Sequence, residues 1–321
     1  MKADLFKVTQ AMVLIGGVIL FFAGCSKNTI ILDLGEENGP SGSEGSNPDG
    51  TSLITFNASI EDRNLLTRAM SPMNQGIKST LYAFEPSAQS GTKQTPSAQG
   101  LYITSSPGVL TGVNGYKMYL ENGVFDFYAV SDNFSTIPPK FLSGKSEPLF
   151  NGIDYLWWHS PNLDVASTQV NIPIVYLHAA TQVVIEVTEG DGIKLNKLVS
   201  AMITPSYPGA SMDLATGAIS PATTLDSPDK MGINGSLAQY IMLPLKISIP
   251  LSLTMDVMVN GENALRTYAV DVPVPEGELK GGNSYLFNAI IDGNTVTFSS
   301  VNVKNWTEVD ETGNPLYPTL K

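Results

Sequence analysis

Cysteine occurs once in the 321 residues, at Cys25, so the chain has no intramolecular disulfide and is not a disulfide-stapled secreted domain. Histidine occurs twice, and neither His159 nor His178 has a second histidine or a cysteine at metal-ligand spacing. We therefore expect no metal site and no cofactor. His178 is expected at the edge of the core, with its ring bonded to backbone groups.

Charge is also scarce, with 15% charged residues and a net charge of −12. Affinity for nucleic acid comes mainly from cationic side chains that meet phosphate, so we expect no nucleic-acid partner. The low charge and the 42% hydrophobic content favour packed β-structure over a helical bundle. The sequence has no nucleophile elbow and no nameable nucleophile–base pair. We therefore expect no catalytic residues and a protein that is not an enzyme.

Arginine is the rarest cation, present only at Arg63, Arg68 and Arg266. Two of the three lie directly behind a segment, residues 53–60, in which apolar and polar residues alternate. Such alternation predicts a half-buried strand. Its inward side is expected to consist of Ile54, Phe56, Ala58 and Ile60.

The N-terminal residues have the pattern of an export signal. Lys2 and Lys7 precede an apolar run over 11–22, and Phe-Ala-Gly-Cys follows at 22–25, which predicts a lipoprotein signal peptide over residues 1–24. The run is shorter than the roughly 20 apolar residues that span a bilayer. We expect a lipid on Cys25; the alternative is an ordinary signal with an incidental cysteine. Residues 25–50 are rich in Gly, Ser and acidic residues and predict a flexible linker.

The remaining sequence reads as strands separated by turns, which favours an all-β chain with sandwich architecture. A β-rich run over 170–187 changes its alternation near Ala179-Ala180, and residues 195–203 fit either a short helix or a strand. Turn dipeptides between strand-like runs predict three hairpins, at Asn122-Gly123, Asn260-Gly261 and Asp292-Gly293.

Three aromatic residues, Tyr155, Trp157 and Trp158, lie close together in the sequence. Aromatic rings stack on sugar rings, but they also fill sandwich cores and seams between domains. A surface lipoprotein that binds glycans through these residues and never polymerises is therefore the alternative function.

Several segments, in order and spacing, resemble the fimbrillin family of Bacteroides-type bacteria, the subunits of type V pili. Beyond the lipid-attachment motif, the matching stretches are LLTRA (65–69), YKMYLENGVFDFYAVS (116–131), DYLWW (154–158), IPIVYLHAATQVVIEV (172–187) and GGNSYLFNAIIDGNTVTFSSVNVKNW (281–306). The resemblance implies two tandem transthyretin-like β-sandwiches, which we divide into residues 51–170 and 171–321.

The resemblance also implies a maturation route. Family members reach the outer membrane as lipoproteins and are then cut by an arginine-specific protease behind the first strand. Here the cut bond is expected at Arg68–Ala69, with Arg63–Asn64 as the second candidate. Loss of the strand 53–60 leaves a groove that a strand from another pilin subunit fills by β-strand addition.

The function implied is that of a structural or tip subunit precursor of a cell-surface pilus (fimbria) that serves adhesion. Residues 307–321, where a donor strand is expected, alternate poorly and contain Pro315 and Pro318. Either the donor is short and irregular, or it begins near 301–306, or the chain is a tip or accessory subunit that only accepts a strand.

Overall fold

The computed structural model describes residues 47–48, 50–61, 70–86, 91–304 and 306. Cys25, the signal peptide 1–24, most of the linker and both candidate cut bonds (Arg63–Asn64 and Arg68–Ala69) lie outside these residues. Among the described residues, no helix is long and apolar enough to cross a membrane. They form strands, turns and three single-turn 3₁₀ segments, which confirms the all-β class.

Twenty strands follow one another along the chain. The first eleven are β1 (Thr51–Glu61), β2 (Met70–Pro72), β3 (Lys78–Phe84), β4 (Ala98–Ser106), β5 (Val109–Gly112), β6 (Met118–Glu121), β7 (Gly123–Ser131), β8 (Phe141–Leu142), β9 (Lys145–Ser146), β10 (Leu156–Val165) and β11 (Gln169–His178). The other nine are β12 (Thr181–Glu189), β13 (Ile193–Ile203), β14 (Asp229–Lys230), β15 (Gly232–Asn234), β16 (Leu237–Met242), β17 (Ile249–Val259), β18 (Glu262–Val272), β19 (Ser284–Asp292) and β20 (Thr295–Lys304).

The first region is a nine-stranded sheet that closes on itself. Its hydrogen-bonded order runs β11-β10-β7-β3-β4-β5-β1, and β1 also pairs with β11, so the ring is complete. Strands β2 and β6 add to β1, and β8 and β9 form a separate small hairpin. Because alternate side chains of each strand point inward, the ring encloses a core that includes Phe56, Leu81, Phe127 and Ile172.

The second region consists of two open sheets. One has the order β15-β16-β12-β19-β20 and the other the order β14-β13-β17-β18. Side chains from both sheets share one apolar core, with Val183 and Phe287 from the first and Leu253 and Met255 from the second. The long run over 170–187 breaks at Ala179-Ala180, as predicted, because β11 joins the closed sheet and β12 joins the second region. The predicted domain boundary at 170/171 runs through β11, and the division into two domains stays a prediction.

Two of the three predicted hairpins are confirmed and one is wrong. Strands β17 and β18 pair across Asn260-Gly261, where both residues have positive φ, and β19 pairs with β20. The Asn122-Gly123 hairpin does not form: β6 pairs with β1, whereas β7 pairs with β3 and β10. Neither Asn122 nor Gly123 has the positive φ that a tight hairpin turn requires, and the Ser52 hydroxyl donates a hydrogen bond to Asn122 Oδ1.

Candidate functional site

Strand β1, the segment that the sequence analysis singled out, is paired along both of its edges. One edge runs parallel to β11 in an eight-residue register, from Leu53 opposite Gln169 to Ile60 opposite Tyr176. The other edge meets three strands in turn, β6, β5 and β2, all antiparallel. The strand is therefore central to the closed sheet and not an edge that could fray.

The inward side of β1 fills the core of the closed sheet. Ile54, Phe56, Ala58 and Ile60 are 2%, 2%, 3% and 7% exposed. The Phe56 ring meets Tyr102 edge to face, with centroids 5.2 Å apart, and Phe127 in the same way at 6.3 Å. Edge-to-face geometry places the positive rim of one ring against the negative face of the other. The strand is thus an integral part of the packing.

The outward side of β1 is polar and bonds to β11. The Thr55 hydroxyl and the Asn57 amide both donate to Asn171 Oδ1, at 3.2 and 3.4 Å, and the Ser59 hydroxyl donates to the Ile174 carbonyl at 3.2 Å. These bonds are partly exposed to solvent, where a typical hydrogen bond contributes only about 0.5–1.5 kcal/mol net. Most of the attachment of β1 therefore comes from its inward side and its backbone.

Three main-chain hydrogen bonds form a closed cycle at Ala58. The Ala58 N–H donates to the Gly108 carbonyl at 2.8 Å, the Gly108 N–H to the Met73 carbonyl at 2.9 Å, and the Met73 N–H to the Ala58 carbonyl at 3.1 Å. Gly108 has φ +77°, and an added Cβ would lie 3.3 Å from the Ala58 oxygen, so both the turn and the close approach favour glycine. The cycle closes the gap where β1 changes partner from β5 to β2.

The arginines lie in the connection between two paired strands. The end of β1 pairs with β2, with Ser59 opposite Pro72 and Glu61 opposite Met70. The connection 62–69 carries both Arg63 and Arg68. The side chain of Met70, the first described residue after it, is 60% exposed. Of the two described residues that flank the connection, Met70 is therefore at the surface and Glu61 is half-buried.

The three aromatic residues of the glycan alternative do not form one surface. Tyr155 is buried, its hydroxyl oxygen accepts a hydrogen bond from the Phe150 N–H at 3.0 Å, and burial raises the pKa of Tyr155 to about 12. Trp157 packs on the side of β10 that faces the second region, whereas Trp158 packs against the core of the closed sheet. Neighbouring residues of a strand point to opposite faces, so the WW dipeptide cannot present a single stacking platform.

The sequence profile of the family described as fimbrillin-like matches residues 67–306 of the chain. This chain belongs to the fimbrillin-like family. The match begins after β1 and ends at Trp306, the last described residue.

Solved structures share the fold of this fimbrillin-like chain. A candidate cell adhesion protein from Bacteroides uniformis ATCC 8492 is 17% identical, with a TM-score of 0.57 over 81% of this chain and 100% of that one. A second candidate cell adhesion protein, from Bacteroides ovatus ATCC 8483, is 14% identical, with a TM-score of 0.56 over 81% and 99% of the two chains. No curated protein sequence matches closely enough to count as a relative.

The fimbrillin-like chain has an apolar seam between its closed sheet and its second region. Tyr82, Tyr128 and Leu149 meet Met212, Leu243 and other residues there. Trp157 Nε1 donates to the Leu214 carbonyl at 2.7 Å, and the indole lies against Gly217. The sequence allows three roles for the aromatic residues at 155, 157 and 158: sugar stacking, filling a sandwich core, or packing in a seam. Tyr155 and Trp157 pack in the seam.

The expectation for His178 is wrong in one respect. His178 is buried, but the partner of its Nδ1 is the carboxylate of Asp154, at 2.7 Å, and not a backbone group. Asn133 Nδ2 donates to the other Asp154 oxygen at 2.8 Å, and Trp306 stacks on the imidazole with ring centroids 4.3 Å apart. Asp154 lies 24 residues from His178, so no local sequence pattern joins the two.

Proposed function

We propose that this fimbrillin-like chain is the precursor of a structural or tip subunit of a cell-surface pilus that serves adhesion, and that β1 is the strand replaced during assembly. The observation that carries the proposal is the position of β1. It is a central strand with four buried inward side chains, and the next residues carry two of the three arginines of the chain. One cut in that connection detaches β1 from everything that follows it.

The maturation route completes the proposal. The precursor is exported, takes a lipid on Cys25 and is held at the outer membrane. An arginine-specific protease then cuts Arg68–Ala69, or Arg63–Asn64 as second candidate, and the chain joins the pilus through another pilin subunit. The two transthyretin-like sandwiches that the family resemblance implies stay part of the proposal, although the first region is a single closed sheet. The start of the family match at residue 67 supports the route, because β1 lies outside the shared part.

The energetics of the groove support strand replacement. Burial of the three large inward side chains of β1, Ile54, Phe56 and Ile60, contributes roughly 1.5–3 kcal/mol each, and the Ala58 methyl contributes less than about 1 kcal/mol, or about 5–10 kcal/mol together. Without β1, the edges of β11, β5, β6 and β2 that it covers lose their partner, and unpaired strand edges invite the addition of another chain. A replacement strand recovers both contributions, so assembly needs no nucleotide and the joint dissociates slowly.

Limited proteolysis of the purified full-length precursor tests the proposal. An arginine-specific protease is expected to give one stable fragment that begins at Ala69, and Arg68→Ala is expected to move the new N-terminus to Asn64. The double variant Arg63→Ala/Arg68→Ala is expected to resist the protease. N-terminal sequencing and intact mass report the cut.

Arg266→Lys provides the matched control. Arg266 lies in β18 and donates hydrogen bonds to the Gly293 carbonyl and to Asn294 Oδ1, at 2.8 and 3.0 Å. Both acceptors lie in the turn between β19 and β20. Removing this site is expected to leave the fragment pattern unchanged. Degradation to small peptides, full resistance of the unaltered precursor, or a cut at Arg266 instead would contradict the proposal.

A further inference from the structure

We propose that the groove left by β1 selects its new strand at the position of Ala58, where it accepts only a small residue with a free backbone N–H. Residues 307–321 of this chain do not meet that requirement, so the strand is expected to come from elsewhere than this stretch. The inference rests on the proposed strand replacement and names the chemistry of the partner.

The cycle of main-chain bonds sets the first requirement. When β1 leaves, the Gly108 carbonyl loses its donor and the Met73 N–H loses its acceptor, because both were bonded to Ala58. A buried polar group without a partner is costly, so the incoming residue must supply an N–H and a carbonyl at the same point. Proline lacks the N–H and is excluded.

The size of the Ala58 site sets the second requirement. Ala58 is 3% exposed in the same core cluster as its larger neighbours Phe56 and Ile60. A larger side chain at this site would overpack a core that is already filled, and overpacking distorts rotamers and backbone. The groove therefore prefers a strand whose four inward side chains, at positions 54, 56, 58 and 60, are large, aromatic, small and large in that order.

Residues up to 306 are not free to act as donor. Strand β20 pairs with β19 from Asp292 opposite Thr295 to Ser284 opposite Lys304, and Trp306 is 4% exposed against His178. A donor that began near 301–306 would have to leave this core. This disfavours the second of the three alternatives for the donor and directs attention to residues 307–321.

Residues 307–321 do not fit the groove in any register. The groove spans eight residues, 53–60. Only the window 307–314 is free of proline, and it places Glu308 and Asp310 at inward positions 54 and 56. Burying an unpaired carboxylate is strongly unfavourable. Every other eight-residue window in this stretch contains Pro315, which cannot donate the ladder hydrogen bond that its position in the groove requires.

Capture of labelled peptides tests the inference. The full-length chain is cut with the arginine-specific protease and incubated in mild urea with a large excess of a fluorescent copy of residues 51–61, so that the peptide can exchange with the bound β1 fragment. The mixture is then analysed by size-exclusion chromatography. The unaltered peptide and its Ala58→Ser version are expected to be captured equally well. Ala58→Leu and Ala58→Pro versions are expected to be captured at least about tenfold more weakly. A peptide of residues 307–321 is expected to be captured as weakly as these two.

Asn57→Leu is the matched control, because Asn57 lies next to Ala58 on the exposed outward side, where added volume meets no core. Equal capture of the Ala58→Leu or Ala58→Pro peptide, or an equal loss for Asn57→Leu, would overturn the selectivity of position 58. Capture of the 307–321 peptide as strongly as the unaltered one would overturn the exclusion of residues 307–321 as the donor. In each of these cases strand replacement itself stands. If the cut chain captures no peptide, including the unaltered one, the proposed function fails as well.

Discussion

Strands β1 and β12 have the same structural role in the two regions of the molecule. Each runs parallel to a strand near the end of its region, β1 to β11 and β12 to β19, over eight residue pairs. Each also has an antiparallel neighbour on its other edge. The two differ in how they are connected, since β12 is joined to β11 by Ala179-Ala180 and to β13 by residues 190–192, whereas β1 is followed by the arginine-bearing residues 62–69.

Under the proposed function, β1 is therefore detachable because of the connection that follows it and not because of the strand itself. Burial and pairing are alike, since Phe56 in β1 and Ile185 in β12 are both nearly inaccessible. Closure adds a second difference. Seven strands of the first sheet form a complete ring, so loss of β1 opens that ring, while the sheets of the second region already end in β14, β15, β18 and β20.

The largest effect is expected from truncating the two strands in parallel. Phe56→Ala should lower the free energy of unfolding by about 3–5 kcal/mol and Ile185→Ala by about 2–5 kcal/mol, because each leaves a cavity in a buried core. Urea unfolding measures this, and Thr55→Ala on the outward side of β1 serves as control. After the protease cut, Phe56→Ala should release the β1 fragment faster in size-exclusion runs, whereas Ile185→Ala should not. Equal release of the β1 fragment from the two variants would show that its attachment does not depend on the inward side chains of β1.

A smaller effect is expected at the seam that joins the regions. A Cβ at Gly217 would lie 2.5 Å from Trp157 Cδ2, and φ there is +69°. Gly217→Ala should cost about 3 kcal/mol of stability, from the clash and the left-handed backbone together. Gly235→Ala has a similar φ of +59° with open space around it and should cost about 1 kcal/mol. Thermal unfolding measures the stability of both variants. Equal losses of stability would show that the contact with Trp157 does not contribute to the effect of Gly217→Ala.

The smallest effect is expected from the protonation of His159 in the closed sheet at acid pH. Burial lowers the pKa of His159, which stacks on Tyr128, and Asp126 acts in the opposite direction. The unfolded chain therefore binds the proton more readily, and stability should fall as the pH drops through about 6.5. Urea unfolding at pH 7.5 and 5.5 should show a smaller fall for His159→Gln than for the unaltered chain. An unchanged difference between the two pH values would assign the acid sensitivity to other groups.

The sequence predicts features that depend on near neighbours and misses those that depend on pairing across the chain. The alternation at 54–60 is enough to place β1 and its inward side, and Asn260-Gly261 is enough to place a turn. Asn122-Gly123 is the same dipeptide, but β6 pairs with β1, with Leu53 opposite Tyr119, and therefore does not pair with β7. The ring closure by β11, the bond cycle at Ala58 and the pair of His178 with Asp154 all join residues distant in sequence, so no local pattern contains them.

Trp306 stacked on His178 has a mechanical consequence. Tension applied to the chain beyond residue 306 reaches this ring contact before it reaches the hydrogen bonds of β20. This ring contact must therefore break before β20 can be separated from β19 one hydrogen bond at a time from its C-terminal end.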